Sequence, residues 1–333
     1  MKIAIVKLSA LGDIVHAMIV LQFIKKHNQE IEVDWIVEEA YKGLFEFHPD
    51  INKVHVVNIK KAKKRKSFFL FLNELKKVRH FGKYDLVIDM QGLLKSALIS
   101  RLIISPITLG FDKFSVRENL ASIFYNQIFN YGYDENVIER NVALMSFALG
   151  LNVSKQEIKN KSPFLHLSRK HLNVNLSNVK RNILLIPGAS HISKCYPVSN
   201  LVELTTLIDA NFLTIWGDQK EKIMAEEIKT QAPSVSVCAK LSIDSLKLLI
   251  SQVDLVIGPD TGPTHMAWAL NVPSITLFGP TPGYRNSYAT KINRIIESDS
   301  KVNPHKIDRN DNSIKDIDIQ KILQVSKDLL SQS

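Results

Sequence analysis

Residues Asp254–Leu270 read DLVIGPDTGPTHMAWAL, and this stretch decides the fold. An apolar run, DLVIG, has the length and character of a buried strand, GPDTGP turns, and THMAWAL reads as a helix. Asp260 falls at the carboxyl end of that strand, with Thr261, Gly262 and Thr264 at the helix amino terminus. Unpaired N–H groups and the positive end of the helix dipole make such a turn a seat for anionic oxygens. Pro263 suits a first helical turn, where its missing N–H costs nothing. The turn therefore suggests a phosphate-bearing ligand at the edge of an open α/β sheet. A well-capped helix without a ligand is the plainer alternative.

Outward from this point the same alternation recurs. In the second half, strands are expected at Asn182–Ile186, Phe212–Trp216, Val235–Cys238, Leu255–Gly258 and Ser274–Phe278, with helices between them. In the first half the pattern predicts strands at Lys2–Leu8, Glu32–Val37, Val54–Ile59, Tyr84–Met90 and Ile107–Phe111. Helices are expected over Asp13–Lys26, Leu93–Leu102, Ser115–Phe129 and Val137–Leu149, and Asn152–Arg181 reads as a linker. Strands alternating with helices imply parallel sheets with right-handed crossovers. Two such sheets joined by a linker should face a central cleft, with ligands beyond the strand carboxyl ends. The expected layout is an α/β chain of two doubly wound domains, 1–160 and 161–312, with an amphipathic tail over 313–333 packing back on the first. Asp13, Gln91, Ser190 and Asp260 all fall just after strands.

The 333 residues suffice for two ordinary domains, and 45% hydrophobic residues describe a globular chain with sizeable cores. Mean hydropathy is -0.02, and no apolar run approaches the ~18–20 residues that span a bilayer. The opening MKIAIVKLSALGD is interrupted by Lys7 and Asp13 and reads as a first strand rather than a signal peptide. Two cysteines, Cys195 and Cys238, make no disulfide framework, so a reducing cytosol is expected. The net charge of +10 is unevenly placed: Lys53 to Arg117 holds fifteen Lys or Arg against four Asp or Glu. Its densest part, Lys60, Lys61, Lys63, Lys64, Arg65 and Lys66, runs straight into Ser67-Phe68-Phe69-Leu70-Phe71-Leu72. Basic residues beside an apolar helix suggest an anionic surface, phospholipid or nucleic acid. The aromatic residues cluster as one helix face rather than as spaced stacking platforms, which weighs against nucleic acid.

Candidate chemistry is sparse. Asp13 could serve as a general base, although its spacing from Ser9-Ala10-Leu11-Gly12 fits a helix cap better. Lys194, in the loop Ser190–Pro197, could meet a diphosphate together with Ser190, or be an ordinary loop lysine. Glu221 could accept from a ribose diol or be a first-turn helix glutamate. There is no G-x-G-x-x-G after a strand, no phosphate-loop motif, no G-x-S-x-G and no paired-cysteine zinc spacing. Asp316 and Asp318 form an acidic pair in a polar tail, and no metal site is expected.

KLSALGDIVHAM, DMQGLLKSALISR, GFDKFSVRENLASIFYNQ, VIERN, LSIDSL and GPDTGPTHMAWAL, in this order, resemble the lipopolysaccharide heptosyltransferases of glycosyltransferase family 9. The second and third stretches resemble the type I enzymes more than type II. The resemblance implies a GT-B fold and an inverting transfer of L-glycero-D-manno-heptose from ADP-heptose to the first Kdo of Kdo-lipid A. It implies no cofactor and no metal, a monomer without nucleic-acid partners, and a peripheral place on the cytoplasmic face of the inner membrane. By motif, Asp13 would be the catalytic base. Ser190, Lys194, Thr261 and Gly262 would hold the diphosphate, with Asp260 and His265 shaping that pocket, Glu221 on the ribose and Leu241 by the adenine. Lys60, Lys61, Lys63, Lys64, Arg65 and Lys66, with Gln91, Lys95, Arg117 and Arg140, would meet the anionic acceptor. Three departures stand out: Ile19 in place of a proline, Cys195-Tyr196-Pro197 where a Trp-Pro pair is usual, and Lys where relatives often carry Arg. Type II heptosyltransferases, other GT-B nucleotide-sugar transferases, a non-hydrolysing epimerase on the same fold and a nucleic-acid-binding protein are the alternatives.

Overall fold

The computed structural model describes residues 1–168 and 172–331. The chain divides into two compact units, Met1–Phe164 and Leu165–Ser333, each built around one six-stranded, wholly parallel sheet. The first contains β1 (Lys2–Val6), β2 (Glu32–Glu38), β3 (Lys53–Val57), β4 (Leu86–Asp89), β5 (Ile107–Phe111) and β6 (Gln127–Phe129), in the order β3-β2-β1-β4-β5-β6. The second contains β7 (Asn182–Leu185), β8 (Asn211–Thr214), β9 (Ser236–Val237), β10 (Leu255–Pro259), β11 (Ser274–Phe278) and β12 (Asn293–Glu297), in the order β12-β11-β10-β7-β8-β9. Strand order reverses between β1 and β4 in one sheet and between β7 and β10 in the other. Loops leaving the carboxyl ends at such a switch diverge to opposite faces and leave room for a ligand.

The central strands are apolar throughout because helices cover both faces of a parallel sheet. In the first unit Ala4, Val6, Ile36, Val57 and Val87 pack against Val78, Phe81, Ile99 and Ile103. In the second, Ile183, Leu185, Leu255, Ile257, Ile275 and Leu277 meet Leu201, Leu204, Ile228 and the tail residues Ile322, Leu323 and Leu329. The tail helix Ile319–Ser331 therefore spends its apolar stripe in the second unit's own core. The expectation had this helix over the first domain; the contacts of its apolar stripe are instead with β10, β11 and the helix Val198–Leu207 of its own unit. Residues 332 and 333 of the tail and 169–171 of the expected linker lie outside the described residues.

Two further local expectations change. The expected helix Asp13–Lys26 is two helices, Leu11–Met18 and Val20–His27. Ser115–Phe129, expected as a helix, is instead a 3₁₀ turn at Asn119–Phe124 followed by β6. Long-range contacts override its helical pattern: Tyr125 donates to Asp89 at 2.9 Å, the Arg140 guanidinium captures the Ser115 carbonyl at 2.6 Å, and β6 completes the sheet beside β5.

Candidate active site

The loops that follow β7 and β10 bring several of the second unit's candidate residues together. After β7 the chain runs through Pro187–Ser190 to a 3₁₀ turn at Ile192–Lys194, and after β10 Thr261 opens the helix Gly262–Ala269. Asp260 stands between them. Its Oδ2 accepts from Lys194 Nζ at 2.7 Å and from the Thr281 hydroxyl at 3.0 Å, and its Oδ1 pairs with His265 Nε2 at 2.9 Å. Asn286 Nδ2 approaches the same Oδ2 at 3.5 Å. Burial alone would raise the Asp260 carboxyl, but the charge of Lys194 and the hydrogen bond from His265 outweigh it and hold the group well below the usual carboxylate range. Lys194 is only 8% exposed, so its ammonium is fixed rather than free-swinging. Ser190, earlier in the same loop, is exposed.

Glu221 lies one helical turn after Asp218, which caps the helix Gln219–Gln231. Its Oε2 accepts the Gly217 N–H at 2.6 Å, and its stem lies so close over Gly188 that a β-carbon there would come within 2.3 Å of Cγ. Leu241, half-buried, follows β9, and the nearby Trp216 donates from Nε1 to the Cys238 carbonyl at 3.0 Å. All of Ser190, Lys194, Glu221, Leu241, Asp260, Thr261, Gly262 and His265 thus fall in loops or first turns that follow β7, β8, β9 and β10. Thr281 and Asn286 went unread in the sequence, although GPTPGYRN follows β11 just as GPDTGP follows β10.

In the first unit, Asp13 is exposed in the first turn of Leu11–Met18, and its Oδ2 accepts the Ala10 N–H at 3.1 Å. This differs from the expected cap: Ala10 is the N-cap, the helix begins two residues before Asp13, and Asp13 as its third residue reaches back to the Ala10 N–H with one of its two carboxylate oxygens. The loop before Asp13 is tied to the loop after β4: Gln91 Oε1 accepts from Leu8 N at 2.7 Å and Ser9 N at 3.3 Å. Lys95 donates to the Ser9 hydroxyl at 3.2 Å; burial pushes its ammonium below the ordinary lysine value, against the pull of Glu38. Glu38, buried at the end of β2 and absent from the sequence-based candidates, accepts the Lys60 N–H at 3.1 Å, and burial raises its carboxyl.

The basic run forms the short helix Ile59–Lys64 and the turn after it. Ile59 and Ala62 point inward, which leaves Lys60, Lys61, Lys63, Lys64, Arg65 and Lys66 exposed. Lys60 Nζ donates to the Tyr41 hydroxyl at 2.7 Å. Ser67 caps the next helix, Phe68–Val78, on which Phe71 and Leu75 pack inward while Phe68 and Phe69 are 72% and 71% exposed. Arg117 is also exposed. Arg140 departs from the expected acceptor-facing role. It is 6% exposed, stacks on Phe111, and donates to the carbonyls of Ser115, Tyr131 and Gly132, so its charge secures the segment that replaced the expected helix.

The profile of glycosyltransferase family 9 (heptosyltransferase) matches residues 74–313. The chain belongs to this family. It is 39% identical to lipopolysaccharide heptosyltransferase 1 of Campylobacter coli over 99% of both chains, and 29% identical to the protein of that name from Escherichia coli K12 over 86% and 91%. The solved structure of E. coli heptosyltransferase WaaC with ADP superposes with a TM-score of 0.81 at 25% identity, covering 99% of this chain and 100% of that one. This family 9 glycosyltransferase therefore has the two-unit α/β architecture of the heptosyltransferases, the GT-B fold. The fold and enzyme class implied by the sequence motifs are those found.

Proposed function

We propose that this glycosyltransferase moves L-glycero-D-manno-heptose from ADP-L-glycero-D-manno-heptose to the first Kdo of Kdo-lipid A in lipopolysaccharide core assembly, with inversion and without a metal ion. One observation carries the reading: each sheet has polar candidates at its own switch point. One holds a fixed cation beside a helix amino terminus, the other an exposed carboxylate following a loop that Lys95 reaches. The ADP bound in the WaaC structure supports a nucleotide diphosphate donor.

In the proposed reaction Asp13 takes the proton of the Kdo hydroxyl through Oδ1 while Oδ2 stays on the Ala10 N–H, which fixes the side-chain rotamer. The hydroxyl oxygen attacks the anomeric carbon from the face opposite the phosphate. As that bond forms, the carbon–oxygen bond to the diphosphate breaks and its electron pair leaves with ADP. Lys194, Ser190 and the amino terminus of Gly262–Ala269 receive the charge that develops, the task a metal ion performs in other transferases. One of the three ammonium hydrogens of Lys194 remains on Asp260, and the others are directed to phosphate oxygens. Glu221 meets the ribose and Leu241 the adenine.

Lys60, Lys61, Lys63, Lys64, Arg65 and Lys66, with Lys95 and Arg117, meet the Kdo carboxylates and lipid A phosphates. Phe68 and Phe69 enter the headgroup region of the inner membrane's cytoplasmic face, where the protein acts as a peripheral monomer. None of the described helices is long and apolar enough to cross a membrane. Incubation with Kdo-lipid A and ADP-heptose, with and without EDTA, should yield by mass spectrometry a product heavier by one heptose in both cases. Transfer only to an already heptosylated core would indicate a type II activity, an altered sugar nucleotide without product an epimerase, and loss in EDTA a metal requirement.

A further inference from the structure

The first unit's switch point contains a hydrogen-bonded chain of which no member is the proposed base. Asp89, the last residue of β4, is fully buried. Its Oδ1 accepts the N–H groups of Gln91 at 2.8 Å and Gly92 at 3.2 Å, and its Oδ2 accepts the Tyr125 hydroxyl at 2.9 Å. Burial pushes this carboxyl up, and those donors, with Ser96, pull against it. Space for the arrangement is provided by two glycines. Gly92 adopts φ 67°, and a β-carbon on Gly110 would lie 2.3 Å from the Tyr125 ring.

The turn so held aims Gln91 at the neighbouring strand's loop. Gln91 Oε1 accepts from both Leu8 N and Ser9 N, and Gln91 Nε2 reaches the Ser9 hydroxyl at 3.4 Å. Lys7, buried, donates from Nζ to the Met90 carbonyl at 2.8 Å, closing the same junction from the other side. Ser9 leads directly into Ala10, whose N–H holds Asp13 Oδ2.

We propose that Asp89 and Gln91 are positioning residues for heptosyl transfer: a clasp between the β1 and β4 loops that sets the aim of the Asp13 carboxylate. The proposal rests on Asp13 being the base. Gln91, expected from the sequence to touch the acceptor, has its amide spent on the loop before Asp13. Displacing a reacting group by 1 Å is enough to lose up to about 10²-fold in rate, so opening the clasp acts on turnover.

The test is a mutant cycle. Gln91→Leu, which removes the acceptor oxygen, should lower kcat by about 10- to 10²-fold, with ADP affinity and the thermal midpoint close to wild type. Gln91→Glu retains an acceptor for Leu8 and Ser9 and should recover most of that loss. In an Asp13→Asn background Gln91→Leu should cost less than about threefold more, because its effect passes through the residue already removed. Asp89→Asn and the milder Tyr125→Phe, which removes one hydroxyl and keeps the ring over Gly110, should move kcat in the same direction. Losses for Gln91→Leu and Asp13→Asn that multiply, or kcat unchanged in Gln91→Leu and Tyr125→Phe while Asp13→Asn is crippled, would overturn the clasp and leave the base standing. An Asp13→Asn enzyme with normal turnover would instead remove the base on which the clasp depends.

Discussion

Gly188→Ala is the perturbation whose size follows most directly from the geometry. The added β-carbon would stand 2.3 Å from Glu221 Cγ, 2.8 Å from Cδ and 2.9 Å from Oε1, well inside van der Waals contact. Cγ lies mid-chain, so a small tilt of the carboxylate gives no relief and Glu221 must change rotamer. It then releases the Gly217 N–H, now held at 2.6 Å, and vacates the position from which it would meet the ribose. A hydrogen bond to a charged acceptor contributes about 1.5–3 kcal/mol, equivalent to roughly 10- to 10²-fold in donor affinity. Stability should fall by less, about 1 kcal/mol, because a half-buried side chain can swing toward solvent. Calorimetric titration with ADP and with 2′,3′-dideoxy-ADP separates the causes. The native enzyme should prefer ADP, whereas Gly188→Ala should bind both alike and weakly, and should add little to the loss caused by Glu221→Ala. ADP affinity within about twofold of native in Gly188→Ala, with the preference for the ribose hydroxyls intact, would refute the placement of Glu221 on the ribose.

Three further outcomes are expected. Asp13→Asn should reduce kcat by at least ~10²-fold with ADP affinity nearly unchanged, as measured by steady-state turnover and titration. Replacing Lys60, Lys61, Lys63 and Lys64 with Ala should weaken binding to anionic vesicles by at least about tenfold at low salt and progressively less as salt rises; equal sedimentation with vesicles at both salts would remove the membrane role. The third concerns Asp34, buried in β2, whose carboxyl is lowered to about 2: burial opposes the shift, and hydrogen bonds from His55, Tyr84 and Asn52 produce it. Because the folded value lies below the unfolded 3.8, this stabilisation, about 2 kcal/mol, is complete above pH 4 and disappears as pH falls toward 2. Denaturant midpoints should therefore drop in that window for the native chain and much less for Asp34→Asn.

Both sheets were legible because each central strand is a self-contained apolar run ending in a polar turn, so that KIAIV, LVID, NILL and LVIGP declare themselves locally. The positions of the second unit's candidate residues shared that legibility, since they follow such runs. What escaped the sequence depends on partners distant along the chain. Arg140 looks like any surface cation until the carbonyls of Ser115 and Tyr131 are folded against it. The segment after Ser115 has helical spacing, yet Tyr125 is drawn to Asp89, 36 positions away. The tail helix is amphipathic wherever it packs, and its periodicity carries no address.

If Lys194 holds the diphosphate as proposed, the Lys194–Asp260 contact also bears on how the spent nucleotide leaves. A lone ammonium at the mouth of a helix dipole would grip ADP as firmly as it grips the transition state and delay each cycle. With a resident carboxylate at 2.7 Å, the seat is already partly neutralised when empty. A diphosphate bound there would share the cation rather than acquire it, and the internal counter-ion would reclaim it on departure. On the proposed reading, the same aspartate that steadies the lysine for bond cleavage would hasten product exit.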